Sequence, residues 1–196
     1  MARPVAVAIT GGIGAGKSEA LAAFARHGAA TVSSDQIVHR LIREDSRVRK
    51  ALLDRFGERI LDEAGQIDRS AIAEIVFPDR PQLEWLEGLL HPLVVQEYLE
   101  WREQLADLPN PPPVTVTEVP LLYEVGGQER FDKVVLVTAP KDVRQERAKW
   151  WPVGPREKRL IPDEEKAKRA DFVYVNDGPL EELDAFVARV MRELTG

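Results

Sequence analysis

The chain has 196 residues, 44% of them hydrophobic and 31% charged, and contains no cysteine. That length fits one α/β domain with a full core, and the lack of cysteine excludes disulfides, thiolate nucleophiles and cysteine zinc sites. A formal net charge of −6 argues against a broad nucleic-acid surface, and no apolar run approaches the ~18 residues of a membrane span.

The first apolar run, Val5 to Ile9, leads directly into Gly11-Gly12-Ile13-Gly14-Ala15-Gly16-Lys17-Ser18, which matches G-x-x-x-x-G-K-[ST]. No cleavage site intervenes, so the cytoplasm is the expected location. Strand before and helix after make this a phosphate-binding loop: glycines let successive N–H groups turn toward phosphate oxygens, and the helix adds its positive end. In that reading Lys17 reaches the β- and γ-phosphates and the Ser18 hydroxyl sits on Mg²⁺.

A second short strand is expected over residues 29–33, then a helix from Asp35 to Arg43 that buries Ile37, Val38, Leu41 and Ile42, with Ser34 as its N-cap. From about 46 to 108 the pattern is helical throughout, with Leu83, Leu86, Leu89, Leu90 and Leu93 on one side. His91-Pro92 is expected to mark a restart of the helix at Pro92. The run Pro109-Asn110-Pro111-Pro112-Pro113 stops helical structure. Three further strands are read at 114–119, at 133–138 and at 172–175, and a last helix has Leu180, Leu183, Phe186, Val187, Val190 and Leu194 on its core face. Five strands alternating with helices imply a three-layer, doubly wound parallel sheet with ligands at the carboxyl ends of its strands.

Several residues could carry chemistry. Asp35 follows the second strand and could accept a hydroxyl proton and align the oxygen for in-line attack, or serve only as a helix-end carboxylate. Glu118, at the end of the third strand, could bind a Mg²⁺ water or brace neighbouring loops. Between 141 and 169 there are ten Lys or Arg against six Asp or Glu, which reads either as a solvated face or as a lid closing cations over phosphates. Within it Arg147 and Arg156 could neutralise transferred charge, and Trp150-Trp151 could stack on a base or pack the lid. His91 is a capping residue or an acceptor ligand. Leu121-Leu122, after the third strand, lines an acceptor site or belongs to the core. His27, His39 and His91 match no common metal spacing.

Together these stretches resemble the dephospho-CoA kinase family. The resemblance rests on Ile9 to Ser18, Ser33-Ser34-Asp35, Gly65-Gln66-Ile67-Asp68-Arg69, Val76-Phe77, His91-Pro92, Val119-Pro120-Leu121-Leu122-Tyr123-Glu124, and Ala170-Asp171 with Asn176, in family order over nearly the whole chain. It implies a fold of the P-loop kinase type: a core of about 1–45, 113–140 and 170–196, a helical acceptor-binding insertion of about 46–112, and a short lid of about 141–169. It implies ATP and dephospho-CoA as substrates and Mg²⁺ as cofactor. By the same carry-over Asp35 is the base, and Lys17 and Arg147 complete the catalytic group. Gly12, Ile13, Gly14, Ala15, Gly16, Lys17, Ser18, Glu19 and Asn176 bind ATP, with Ser18 on the metal. Thr10, Asp35, His91, Leu121 and Leu122 face dephospho-CoA. The chain departs from the family pattern in three places. Glu19 replaces a threonine, Ser33-Ser34 stands where an aspartate and an alanine are usual, and the lid is abbreviated, with Leu160 at a glutamine position.

Overall fold

The computed structural model describes residues 3–147 and 160–196. Five parallel strands form one sheet in the order β2-β3-β1-β4-β5: β1 (Val5–Thr10), β2 (Ala30–Ser33), β3 (Val114–Glu118), β4 (Lys133–Thr138) and β5 (Phe172–Val175). The helices are α1 (Lys17–Arg26), α2 (Ser34–Glu44), α3 (Ser46–Phe56), α4 (Arg69–Val76), α5 (Arg80–Ala106), α6 (Lys141–Arg147), α7 (Asp163–Ala167) and α8 (Leu180–Thr195). This is the doubly wound parallel α/β arrangement expected from the sequence.

The central strands β1, β3 and β4 are near-continuous runs of buried residues, as a sheet covered on both faces requires. Register places Ile9 beside Glu118 and Val135, and Ser33 beside Glu118, so the carboxyl ends of β1, β2 and β3 align. On one face Val7, Ile9, Val116, Val135 and Val137 pack with Phe24 of α1 and with Leu183, Phe186, Val187 and Val190 of α8. On the other Ala8 and Val134 pack with Leu122 and Tyr123.

The chain divides into two compact units, residues 1–34 with 101–196, which hold the sheet, and residues 35–100, which are helical. Within the helical unit the segment before α4 folds back on itself through a bridge from Leu61 to Ile67. Asp62 Oδ1 closes that turn by accepting the Ala64 and Gln66 N–H groups, and Asp68 caps α4 by accepting the N–H of Ser70 at 2.8 Å. The Gly65 to Arg69 stretch is thus a turn followed by a helix cap.

Three local expectations change. Ser34 is the first residue of α2 and not its side-chain cap, because β2 passes into α2 with no intervening residue and the Ser34 hydroxyl makes no hydrogen bond. No helix restarts at Pro92, since α5 runs unbroken from Arg80 to Ala106. Proline removes one backbone donor and crowds the carbonyl four residues earlier, that of Gly88. Both Gly88 and Pro92 are exposed, where water can serve the freed carbonyl, while Leu90, Val94 and Tyr98 stay buried. Leu180 is 58% exposed and lies outside the core that the rest of its helix face builds.

Candidate active site

The phosphate loop joins β1 to α1. Gly16, just before α1, has φ +95°, and a Cβ there would stand 2.1 Å from Asn176 Nδ2. Glycine is therefore required twice, for the left-handed backbone and for the approach of Asn176. Asn176, 3% exposed, donates from Nδ2 to the Ala15 carbonyl at 2.9 Å, and its own N–H is held by Thr138 O at 2.7 Å. The end of β5 is in this way tied to the turn of the loop. Arg147 Nη1 donates to the Asn176 carbonyl at 3.2 Å.

At the loop's other end Lys17 Nζ donates to Gly12 O at 3.0 Å, folding the ammonium back over the loop. Gly12 is buried, and a Cβ there would meet Arg144 Nη1 at 2.5 Å and Asp163 Oδ2 at 3.6 Å. Arg144 is aimed by its Nε bond to Ala139 O, 3.1 Å, and Asp163 Oδ2 accepts the Thr138 hydroxyl at 2.5 Å. Ile13 and Gly14 lie partly exposed between the two ends, and Ser18 and Glu19 are exposed in the first turn of α1. A glycine-rich, partly exposed turn at a helix N-terminus, flanked by an ammonium and a guanidinium, is suited to a polyphosphate.

Thr10 ends β1 fully buried, its hydroxyl donating to Pro120 O at 3.3 Å, so it fixes the loop that follows β3. In that loop Leu122 is fully buried in the core, which is the structural alternative for this residue, and Leu121 is only partly covered. Glu118 is 5% exposed at the end of β3. Tyr123 lies under the Arg169 guanidinium, 4.2 Å from its ring centroid, a cation–π contact. Trp150, Trp151 and Arg156 lie outside the described residues.

In the helical unit Asp35 is exposed in the first turn of α2, and His39 follows one turn later on the same face. Arg69 Nη1 is 2.9 Å from His39 Nδ1. A guanidinium only donates, so Nδ1 accepts and the imidazole proton of neutral His39 sits on Nε2. Burial and the Arg69 charge hold the His39 pKa below its usual value, with the Asp35 carboxylate opposing them. His91 is half-buried within α5.

Sequence reasoning singled out Arg147 and passed over Arg144, although both lie in the same basic stretch. It named Arg69 only as part of a motif and gave it no place at Asp35. The signal for Arg69 was its position directly after a helix-capping aspartate.

The family model "CoaE: Dephospho-CoA kinase" matches residues 5–182. The chain belongs to the dephospho-CoA kinase family. It is 38% identical over 194 residues to a dephospho-CoA kinase of Protochlamydia amoebophila, covering 96% of this chain and 95% of that one. A dephospho-CoA kinase of Aquifex aeolicus is 34% identical, with 96% and 97% covered. Among solved structures, TT1252 from Thermus thermophilus superposes with a TM-score of 0.79 at 34% identity over all of both chains. The dephospho-CoA kinase from Campylobacter jejuni superposes with a TM-score of 0.68 at 26% identity over 99% of each. A shikimate kinase from Aquifex aeolicus, 14% identical with a TM-score of 0.53, shares the fold. Family membership makes this protein a kinase, with the P-loop architecture that the sheet order and the glycine-rich loop display.

Proposed function

We propose that the protein transfers the terminal phosphoryl group of ATP to the ribose 3′-hydroxyl of dephospho-CoA, giving CoA and ADP, the last step of coenzyme A synthesis. The observation that carries this reading is the phosphate loop, wired to β5 through Asn176 and to its own lysine through Gly12, in a chain that the family model matches almost end to end. The loop N–H groups and Lys17 hold the β- and γ-phosphates, while Asn176 and Arg147 form the nucleoside end of the site. Asp35 accepts the acceptor hydroxyl's proton and aligns its oxygen. Thr10 and Leu121 position the loop after β3, and His91 belongs to the helical insertion on which dephospho-CoA docks.

No group of three or more His, Cys, Asp or Glu among the described residues could hold a metal ion. The exposed Ser18 would bind Mg²⁺ through its hydroxyl and the buried Glu118 through water, both hard oxygen donors that suit this cation. Mg²⁺ bound there supplies charge neutralisation to the phosphates. No described helix is long and apolar enough to cross a membrane.

The test is ADP production by the purified protein with Mg-ATP and dephospho-CoA, with Asp35→Asn as control and adenosine and other hydroxyl acceptors in parallel. Turnover that needs dephospho-CoA and is lost in the control supports the reading. Turnover of a different acceptor in preference would replace the substrate, near-normal turnover in the control would remove Asp35 as base, and tight dephospho-CoA binding without ADP formation would leave a CoA-binding protein that has lost catalysis.

A further inference from the structure

Two arginines one helical turn apart on α6 reach opposite ends of the phosphate loop. Which end each one serves follows from the loop's own wiring. The Lys17 ammonium of such a loop serves the β- and γ-phosphates, and here it lies against the Gly12 carbonyl. Gly12 therefore marks the terminal-phosphate end. Ala15 and Gly16 mark the other end, where Asn176 is bonded.

Arg144 belongs to the first end. Its Nη1 lies so close to Gly12 that a single methyl group there would collide with it, its Nε is fixed by the Ala139 carbonyl, and its own backbone carbonyl packs over Gly14. Arg147 belongs to the second, with Nη1 on the Asn176 carbonyl and 3.8 Å from where a Cβ on Gly16 would be. Asp163 faces the same Gly12 position, with the Thr138 hydroxyl on its Oδ2. A carboxylate beside a guanidinium offsets that cation's charge when no phosphate is present and repels a phosphate on its own, so the attraction at Gly12 has to come from Arg144 together with Lys17.

We propose that Arg144 is a catalytic residue of this kinase, binding the transferring terminal phosphate of the donor opposite Lys17, whereas Arg147 serves the nucleoside end of the site. The proposal rests on the reading that the donor is a nucleoside triphosphate. A planar guanidinium held by its Nε against the Ala139 carbonyl is pre-aimed, and its geometry matches the equatorial oxygens of a phosphoryl group whose charge spreads during transfer.

The test compares binding of ADP and of a non-hydrolysable ATP analogue, each with Mg²⁺ and no acceptor, by calorimetry on the wild type, R144Q, R144K and R147Q. R144Q should weaken the ATP analogue by about 10- to 100-fold, the worth of one charge-assisted bond, and change ADP by no more than about threefold. R144K should fall between wild type and R144Q. R147Q should weaken both nucleotides alike. Equal loss of the two nucleotides in R144Q and R144K, or an unchanged preference for the analogue over ADP in R144Q, would overturn the assignment. Because no acceptor is present, a wild type that fails to phosphorylate dephospho-CoA would refute the acceptor and leave this comparison intact.

Discussion

Lys166 is fully buried, with Nζ 2.8 Å from Glu124 Oε1, and that oxygen also accepts the Ile161 N–H at 3.0 Å. The pair ties α7 to the loop after β3, next to the Arg169 stack on Tyr123. Replacing Lys166 with methionine keeps most of the side-chain volume but strands the Glu124 carboxylate in a site only 11% exposed. Breaking a buried pair from one side costs about 3–5 kcal/mol, because the remaining charge is left without a counter-charge. For a chain of this size that amounts to a fall in melting temperature of about 6–20 °C. The double variant Glu124→Leu with Lys166→Met removes both charges, and its stability should recover most of the loss, since desolvating the pair consumes most of its Coulombic gain, less about 1 kcal/mol for the Ile161 N–H left without its acceptor. Guanidinium denaturation at 25 °C of the wild type, both single variants and the double variant closes the cycle. A Lys166→Met protein within about 1 kcal/mol of wild type would refute the reasoning, because the ammonium would then have to be reaching water.

Gly16→Ala forces a methyl group onto Asn176 Nδ2 and a non-glycine residue into φ +95°, so nucleotide affinity should fall by about 5- to 150-fold, as expected for strain of about 1–3 kcal/mol; calorimetric affinity near that of wild type would contradict the wiring described. His39 should titrate by NMR below 6.5, moving up in Arg69→Met and further down in Asp35→Asn. Because the folded pKa lies below the unfolded one, the unfolded chain binds more protons in that window. The His39 contribution is therefore complete above pH 6.5 and declines as pH falls toward the folded value.

The central sheet was legible because parallel strands buried on both faces leave apolar, β-branched runs such as Lys133–Thr138, and the edge strand Phe172–Val175 was legible from its apolar, β-branched composition although it alternates partly buried and exposed residues. The phosphate loop was legible because its backbone demands glycine. Other features depend on partners distant in sequence. Asp163-Glu164-Glu165-Lys166 reads as a solvated charge run, yet Lys166 is interior because Glu124 meets it there. Arg144 and Arg147 are three residues apart on one short helix, so no periodicity separates them; only the positions of Gly12 and Asn176 do. Leu121 and Leu122 look equivalent in the sequence, but the turn sends only the second into the core. Pro92 signals a helix end by local rules, and the buried stripe of Leu90, Val94 and Tyr98 overrides that signal.

The strand order has a consequence for synthesis. β1 has neither neighbour nearby in the chain: Val5 pairs with Val114, and Val7 also lies beside Lys133. As the polypeptide leaves the ribosome, the strand that carries the phosphate loop emerges first and must wait, apolar and unpaired, while the whole helical unit is made. Such long-range parallel pairing is slow to close and leaves an aggregation-prone edge exposed in the interval. The nucleotide site thus comes into being late, when β3 and β4 arrive to flank β1, and a chain stalled before residue 114 would hold every residue of the glycine-rich motif and neither of the strands that flank β1.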